Sequence, residues 1–339
     1  MRIGLVTIYK CYNFGSFYQA YGLQQYLEKL GHKVEFLDLD TDYNKHYRLR
    51  KQFNRDISRD VFSLKVIKGY TKDWKLYHIA KETAAKYDLI IIGSDELWNI
   101  HNSSFTPLPE YYGINLPCEK VISYASCVGR ARLDSFDKNP ELLEGIKSIN
   151  EVSVRDDSTE SFVSSLRPDR EVTRVVDPSF LADWSLIEKP CKMKDFILVY
   201  TYDGDWGFSE ENIQKTKDFA EKMGLPLVSV GFRNTWCDKW IAGSPRKFLG
   251  YLKNAAYVVT DTFHGTAMSI QYQKEFISLG KGKDKVESLL KEFDLYSRLF
   301  TEENVFEAVF SKKTDYASAN KIIQSRIKES KDYLNKYIQ

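Results

Sequence analysis

The two halves of the chain carry the same succession of sequence patterns. In the first half, an apolar run at residues 3–8 leads through a polar loop into a helical pattern that ends at Gly31, and KVEFLDLD is the next predicted strand. In the second half, FILVYTY, a loop and a helical pattern capped by Ser209 lead to the predicted strand PLVSVGF. The helix ends KLGHKVEFL and KMGLPLVSV correspond in position and character. Each half therefore contains a strand–helix–strand unit, the building block of a parallel sheet.

The correspondence continues further along each half. AAKYDLIIIGSDELW and NAAYVVTDTFHGTAM both run from a helix end into a strand and then into an acidic loop. We predict an α/β protein with two Rossmann-like, doubly wound domains facing a cleft, where ligands bind beyond the carboxyl ends of the strands. The predicted domains cover residues 1–185 and 190–312, and residues 313–339 form a helix that packs back on the first domain. A single large mixed sheet is the alternative, which the repeat disfavours.

The bulk composition disfavours several classes of protein. The 339 residues are 43% hydrophobic and 14% aromatic, which suffices for two packed cores. The 49 basic and 47 acidic residues give a net charge of +2, so nucleic acid is not an expected partner. Five scattered cysteines without a CxxC pair predict reduced thiols instead of disulfides or a zinc site. Because the chain moves directly into a strand and has no apolar run of membrane-spanning length, we expect a cytoplasmic protein with at most peripheral contact at the inner face of a membrane.

The segment from Lys45 to Lys75 departs from this balance of charge. It holds ten Lys or Arg residues against three Asp, interleaved with Tyr, Phe and Trp. Such a run is typical of a solvated helical face with aromatic residues in the core. It also fits a surface for an anionic acceptor or for lipid headgroups.

His264 lies at a position that suits a catalytic residue. It follows a predicted strand that ends near Thr260, and Asp261 or Thr262 can cap a helix that begins near Gly265. The imidazole then lies at the carboxyl end of a strand and at the positive end of a helix, and Gly265 permits close approach of the backbone to a ligand. A group that titrates near pH 7 suits general acid–base catalysis. A histidine that is hydrogen-bonded to a neighbouring loop is the alternative.

Arg155 follows another short predicted strand, in EVSVRDDSTESF, where Asp157 and Glu160 form a predicted capping pair for the next helix. A guanidinium at such a strand-to-helix switch can bind a carboxylate or a phosphate with paired hydrogen bonds. A structural ion pair with Asp156 or Asp177 explains the same position.

The loop GSDELWN also follows a predicted strand. Ser94 and Asp95 can hydrogen-bond sugar hydroxyls, and Asp95 can accept a proton from one. Trp98 can offer an apolar face to a sugar ring. Capping of the next helix is the alternative for Asp95, and packing in the core is the favoured interpretation of Trp98.

The first loop, in NFGSFYQ, precedes a predicted helix. Asn13 and Gly15 bring backbone amides to the helix N-terminus, which favours polar or anionic ligands. Ser16 and Gln19 form the predicted capping box of this helix. Gly15 is alternatively a residue that only permits the turn.

Several familiar signatures are missing from the sequence. There is no GxGxxG after the first strand, no GxxxxGKS phosphate loop, no HExxH and no GxSxG. The pair Asp38 and Asp40 at a strand end is a weak metal candidate, and we predict no metal site. Dinucleotide redox chemistry, phosphoryl transfer by a P-loop and zinc hydrolysis are therefore disfavoured.

Six motifs together resemble the polysaccharide pyruvyl transferase family. In chain order they are NFGSFYQAYGLQ, DLIIIGSDELWN, SYASCVG, VSVRDDSTESF, VVDPSFL and VVTDTFHGTAMSI. The resemblance spans most of the sequence, and six ordered motifs are far more specific than any one of them. Members of this family are similar to two-domain glycosyltransferases of the GT-B kind, which agrees with the paired halves.

The resemblance implies transfer of an enolpyruvyl or ketal-linked pyruvyl group from phosphoenolpyruvate to a sugar of a cell-surface polysaccharide precursor, with release of phosphate; the ketal is the favoured product. The acceptor would be a lipid-linked or nucleotide-linked glycan, and no cofactor is implied beyond the donor substrate. His264 matches the family's histidine and would protonate the enol carbon, Arg155 matches the family's arginine and would bind the donor, and Asp95 is the candidate base. The first domain would carry the acceptor side and the second the donor side. Further candidates are Thr262 and Gly265 for the donor and Asn13, Gly15, Ser94 and Trp98 for the acceptor.

One position departs from the family pattern. Some relatives carry an arginine two residues before the histidine, where this chain has Thr262. The donor phosphate then falls to other groups, either Arg233 in VGFRNTW or Lys281, Lys283 and Lys285 in GKGKDK. A solvated loop is the alternative for these lysines.

Two other functions remain open at this point. A GT-B glycosyltransferase in polysaccharide biosynthesis would use a nucleotide sugar, with Arg155 and nearby lysines on the diphosphate. A sugar-binding protein without catalysis is the third possibility.

Overall fold

The computed structural model describes residues 1–39, 57–81, 86–102, 105–204, 207–301 and 305–338. Asp40 of the weak metal pair and residues 45–56 of the basic segment lie outside these described residues. The chain divides into two compact units. Unit 1 comprises Met1–Leu49, Lys75–Ala182 and Gln324–Gln339, and unit 2 comprises Arg50–Trp74 and Asp183–Ile323.

Unit 1 is built on parallel strands. They are β1 (Arg2–Val6), β2 (Lys33–Phe36), β3 (Leu89–Ile92), β4 (Val121–Ser123), β5 (Val152–Val154) and β6 (Val172–Arg174). The first four form one sheet in the order β2-β1-β3-β4, and an isolated bridge between Ile122 and Glu151 links β4 to the β5–β6 pair. The helices of unit 1 include Phe14–Lys29, Pro140–Ser148 and Asp157–Leu166. Every residue of β3 is buried, as expected for a parallel strand covered on both faces.

Unit 2 repeats this architecture with a parallel sheet of its own. Its strands are β7 (Ile197–Tyr200), β8 (Leu227–Val230), β9 (Lys239–Ile241), β10 (Tyr257–Thr260) and β11 (Glu275–Ser278), in the order β11-β10-β7-β8-β9. Its helices are Ile57–Asp73, Glu210–Met223, Pro245–Asn254, Phe263–Gln271, Asp284–Glu292 and Phe306–Ser311. The predicted α/β class with two Rossmann-like units is confirmed, and the alternative of one mixed sheet is wrong. The predicted domain limits remain predictions.

The last helix, Tyr316–Tyr337, contributes residues up to Ile323 to unit 2 and later ones to unit 1. Within unit 1, the Tyr333 hydroxyl donates to the Ser123 carbonyl at 3.0 Å, which fixes the helix at the end of β4. None of the described helices is long and apolar enough to cross a membrane.

Two predicted helix starts are wrong. Helix Phe14–Lys29 is capped by Asn13, which precedes the predicted cap Ser16, and helix Asp157–Leu166 is capped by Asp156. Both true caps have extended backbone, as an N-cap requires, whereas the predicted caps already lie within the helix. The capping-box pattern is short, so a polar first turn can imitate it. The prediction for Ser209 is confirmed, because its side chain accepts from the Asn212 amide at 3.2 Å.

Candidate functional site

In unit 2, His264 lies where β10 passes into the next helix. The strand ends at Thr260, Thr262 caps the helix Phe263–Gln271, and the Thr262 hydroxyl accepts from the Gly265 amide at 2.9 Å. Of the two predicted caps, Asp261 and Thr262, the actual one is Thr262. The helix begins at Phe263, two residues before the predicted start, which places His264 in the first helical turn. The partial positive charge of this helix end favours an anion beside the ring.

The imidazole of His264 is nearly enclosed. The residue is 9% exposed, its Nε2 atom is buried, and the ring meets the edge of Phe263 at 5.0 Å between centroids. A proton donor with so little exposed surface can serve a substrate that fits directly against that surface or that displaces groups around it. The catalytic role of His264 remains a prediction.

Gly265 is required by packing inside unit 2. A Cβ atom at this position would lie 2.1 Å from the Thr260 hydroxyl and 2.8 Å from the Tyr200 ring. The Thr260 hydroxyl is itself held by a 2.7 Å bond to the Tyr200 carbonyl, so it cannot move away cheaply. The absence of a side chain at Gly265 therefore lets the helix pack closely against the neighbouring strands. Contact between Gly265 and a ligand remains a prediction.

Lys283 is bound to the loop that leads to His264. Its ammonium group donates to the Asp261 carboxylate at 2.8 Å and to the Asp261 carbonyl at 2.9 Å. Asp261 is buried, and its Oδ1 atom has no hydrogen-bond partner among the described residues. Lys281 lies exposed in the turn that precedes Lys283. Sequence reasoning missed this ion pair, because 22 residues separate its members.

Arg233 is held by different groups of unit 2. Its guanidinium donates to the Ser58 hydroxyl at 3.0 Å and lies 4.9 Å from the centre of the Trp240 ring. A stacked cation of this kind is stabilised by the ring's negative face. Arg233 therefore serves the packing of helix Ile57–Asp73, and its predicted donor contact remains a prediction.

In unit 1, a buried polar network gathers at the carboxyl ends of β1, β3 and β5. The Gln19 side chain accepts from the Ser94 amide at 3.1 Å, and the Ser94 hydroxyl lies 3.4 Å from Asp177 Oδ2. The same Asp177 oxygen accepts from Arg155 at 2.6 Å. Gln19 and Asp177 were not predicted as site residues. An amide in the middle of an apolar helical pattern was the signal for Gln19.

The guanidinium of Arg155 stays charged in this network. Burial acts to lower the pKa of Arg155, but the nearby Cys127, Asp177, Asp95 and Asp156 outweigh it and raise the pKa further. The ion pair with Asp177, which sequence reasoning kept as an alternative, is therefore present. A buried charge needs such a partner, since desolvation alone would be costly.

Asp95 lies half-buried at the edge of the same network. It accepts from the Ser16 hydroxyl at 3.3 Å and from the Glu96 amide at 2.9 Å. Its backbone is left-handed, with φ of 86°, an uncommon conformation that is often found at functional sites. Cys11 is close by, and burial, aided by the charge of Asp95, raises the pKa of its thiol to about 12. Cys11 is therefore a thiol at neutral pH, which makes it a poor nucleophile.

The other acceptor candidates have structural contacts in unit 1. The Asn13 side chain accepts from the Gly15 amide at 2.7 Å, which completes the helix cap. Trp98 has no exposed surface, and its indole donates to the Tyr111 carbonyl at 2.8 Å within the apolar core. Trp98 would reach an acceptor only if this packing opened, so its sugar contact remains a prediction.

A cavity of about 270 Å³ lies elsewhere in unit 1. Its lining residues are Leu37, Asp38, Leu39, Ala80, Lys81, Tyr87, Glu110, Asn115 and Pro117. The predicted site residues do not line it. Among the described residues, no group of three His, Cys, Asp or Glu side chains is arranged to hold a metal ion.

Asp156 offers a test of the local electrostatics around Arg155. Burial by itself would raise the pKa of Asp156, but hydrogen bonds from Thr159 and the charge of Arg155 outweigh it, so the pKa lies below its usual value. A depressed folded-state pKa stabilises the fold above the ordinary Asp pKa of about 3.9, and this stabilisation is lost as the pH falls through the folded value.

We expect Asp156→Ala to lower the free energy of unfolding at pH 7 by about 0.5–2 kcal/mol, because the cap is lost. Asp156→Asn keeps a capping oxygen and should cost less, and its difference from the wild type should shrink below about pH 3.9. Urea unfolding at several pH values measures both effects. Asp157→Asn, at the more exposed neighbouring carboxylate, is the control. Equal losses for Asp156→Asn and Asp157→Asn at pH 7 would contradict the assignment.

Solved structures show what the two units resemble. The chain is similar to an alpha-glucosyltransferase solved with UDP-glucose and DNA containing an abasic site, with a TM-score of 0.50, 11% identity and 100% of both chains covered. It is also similar to a protein assigned as a UDP-N-acetylglucosamine 2-epimerase from Listeria monocytogenes, with a TM-score of 0.52, 9% identity, and coverage of 98% of this chain and 94% of that chain. At these identities the likeness shows the fold alone, which is Rossmann-like and GT-B-like.

No curated protein matches the sequence. The family model for polysaccharide pyruvyl transferase matches residues 13–281, well over half of the chain. This range starts at the cap of the first helix and includes His264, Asp95 and Arg155. The chain therefore belongs to the polysaccharide pyruvyl transferase family.

Proposed function

We propose that this transferase moves pyruvate from phosphoenolpyruvate onto a sugar of a cell-surface polysaccharide precursor, as a ketal, and releases phosphate. The observation that carries the proposal is the family match over residues 13–281, which includes an imidazole at a strand-to-helix junction. The proposed acceptor is a lipid-linked or nucleotide-linked glycan, and the proposed place of action is the cytoplasm.

The proposed reaction begins with protonation of the methylene carbon of phosphoenolpyruvate. The proton comes from His264, and the carbon–carbon double bond becomes a methyl group beside a cationic central carbon. A sugar hydroxyl adds to that carbon and gives its proton to a base, for which Asp95 is the candidate. A second hydroxyl then displaces phosphate. Its proton returns to the imidazole, and protonated Asp95 passes its proton to the departing phosphate. The products are a cyclic pyruvyl ketal and inorganic phosphate.

The contacts in unit 2 favour Lys283 as the cation for the donor phosphate. An ammonium group has three N–H donors, and the two bonds to Asp261 leave one for a phosphate oxygen. Lys283 is thereby tied to residue 261, next to Thr262, where some relatives carry an arginine. The lysine would replace that charge from another segment of the chain. Lys281 has no such tether to any residue that the structure describes, and Arg233 is engaged by Ser58 and Trp240.

Arg155 is proposed to hold the carboxylate of the donor, as its match to the family's arginine implies. Its charge is maintained by the buried acids around it, as the direction of its pKa shift indicates. An arginine that is already fixed by Asp177 loses little conformational entropy when it binds an anion.

Phosphate release from phosphoenolpyruvate, measured with and without a glycan acceptor, tests the proposed function. In D₂O, the product ketal should carry one deuterium in its methyl group, which NMR detects. Acceptor-independent release, or a product without the methyl signal, would contradict pyruvyl transfer. Thermal stabilisation by a nucleotide sugar but not by phosphoenolpyruvate would favour a glycosyltransferase. Binding of sugars without turnover of either donor would favour a sugar-binding protein.

Lys283→Met should raise the KM for phosphoenolpyruvate by about tenfold to a hundredfold, because a hydrogen bond between charged groups is lost. Lys281→Met is the matched control and should leave the KM nearly unchanged. A purely structural role of Lys283 would instead lower the thermal midpoint and kcat at constant KM. If Lys281→Met raises the KM and Lys283→Met does not, the assignment of the two lysines is wrong.

A further inference from the structure

The helix Ile57–Asp73 of unit 2 carries an apolar stripe on its outward side. Ile57 is 80% exposed, Val61 44% and Leu64 56%. Their spacing of four and three residues places them on one helical face. Single exposed aliphatic residues need no explanation, but three aligned on one helix are unusual for a surface that faces only water.

The opposite side of the same helix is firmly packed in unit 2. Phe62 meets the edge of the Trp240 ring at 5.8 Å between centroids, and Tyr70 is buried. Asp73 at the end of the helix is buried and accepts from Lys189 at 2.9 Å. Because these contacts fix the rotation of the helix, the apolar stripe is held outward.

Basic residues continue the stripe toward the end of the helix. Lys65, Lys68 and Lys72 are exposed, and their positions follow Val61 and Leu64 on the outward side. The helix contains two acids, Asp60 and Asp73, neither of which is exposed. The outward face therefore combines aliphatic side chains with positive charge.

We propose that this face docks on a membrane surface that contains anionic lipids. Aliphatic side chains on an amphipathic helix enter the boundary between headgroups and acyl chains, while lysines bind lipid phosphates. A stable protein interface would bury roughly 800 Å² on each partner around aromatic anchors, and this face has only three aliphatic side chains. The positive charge beside them complements a negatively charged lipid surface.

Vesicle flotation of the full chain tests this proposal without any substrate, so its result does not depend on pyruvyl transfer. We expect the wild type to bind vesicles of equal parts phosphatidylglycerol and phosphatidylcholine, and to bind pure phosphatidylcholine at least about tenfold less tightly, since the exposed lysines are attracted to an anionic surface. Added salt should weaken the binding to the anionic vesicles, because it screens exposed charges.

Two double variants separate the apolar and the basic contributions. Lys68→Glu with Lys72→Glu, and separately Ile57→Ser with Leu64→Ser, should each lower the partition onto anionic vesicles by about tenfold or more. Leu186→Ser, at a residue that is 70% exposed, and Lys217→Glu are matched controls elsewhere in unit 2 and should leave binding unchanged. Circular dichroism should show the fold of every variant intact, since all these residues are exposed.

Three results would overturn the proposal. The first is a wild type that does not bind anionic vesicles. The second is an equal loss of binding in the control variants. The third is a wild type that forms dimers which Ile57→Ser with Leu64→Ser dissociates while vesicle binding stays negligible, because the face would then be a contact between copies of the chain.

Discussion

Replacing His264 with glutamine is expected to lower the rate of acceptor-dependent phosphate release by about 10²–10⁴-fold, the usual contribution of a general acid. Glutamine fills a similar volume and can hydrogen-bond, but it cannot donate a proton to carbon. The loss should appear in kcat, with the KM for phosphoenolpyruvate little changed, because the proton is transferred only in the transition state.

His101→Gln is the matched control for this variant, since it makes the same change in unit 1 at an exposed residue. It should retain full activity. Thermal unfolding is needed to show that His264→Gln is folded, because the residue lies among buried neighbours in the first turn of its helix. A His264→Gln protein that is folded and fully active would eliminate the imidazole as the proton donor.

Asp177→Asn is expected to destabilise unit 1 by about 3 kcal/mol, the lower end of the loss when one partner is removed from a buried ion pair. Asparagine keeps an oxygen for the Ser179 amide, which Asp177 binds at 2.9 Å, so the change isolates the charge. The thermal midpoint of unit 1 should fall by on the order of 10 °C. Combining Asp177→Asn with Arg155→Met should cost less than the sum of the two changes, because no uncompensated charge remains.

The control for this prediction is a solvent-exposed ion pair on the protein surface. Lys328 and Asp332 lie 2.6 Å apart on the exposed side of the last helix, and Asp332→Asn should cost far less than Asp177→Asn, because water screens the pair. Equal effects of Asp177→Asn and Asp332→Asn would mean that Asp177 does not hold the Arg155 charge. If the double variant at Arg155 and Asp177 is stable but no longer binds phosphoenolpyruvate, Arg155 also binds the donor.

The capping predictions show where local patterns mislead. Ser209 was predicted as a cap and is one, and Thr262 is the actual cap of the two candidates Asp261 and Thr262. Ser16 and Asp157 satisfied the same rule, but Asn13 and Asp156 lie nearer the preceding loop and are the actual caps. The choice depends on where the chain leaves its strand, which no short motif encodes.

The sequence by itself determined the α/β class, the parallel sheets and the family, because hydrophobic periodicity and ordered motifs are local properties of the chain. Only the tertiary structure decided that Asp177 pairs with Arg155, that Lys283 binds Asp261, and that Gln19 contacts Ser94. These contacts join residues that are between 22 and 75 positions apart. Periodicity assigns residues to strands, helices and loops, whereas which loops meet is set by the order of strands in the sheet. The polar partners of a buried charge therefore follow from packing and cannot be obtained from spacing alone.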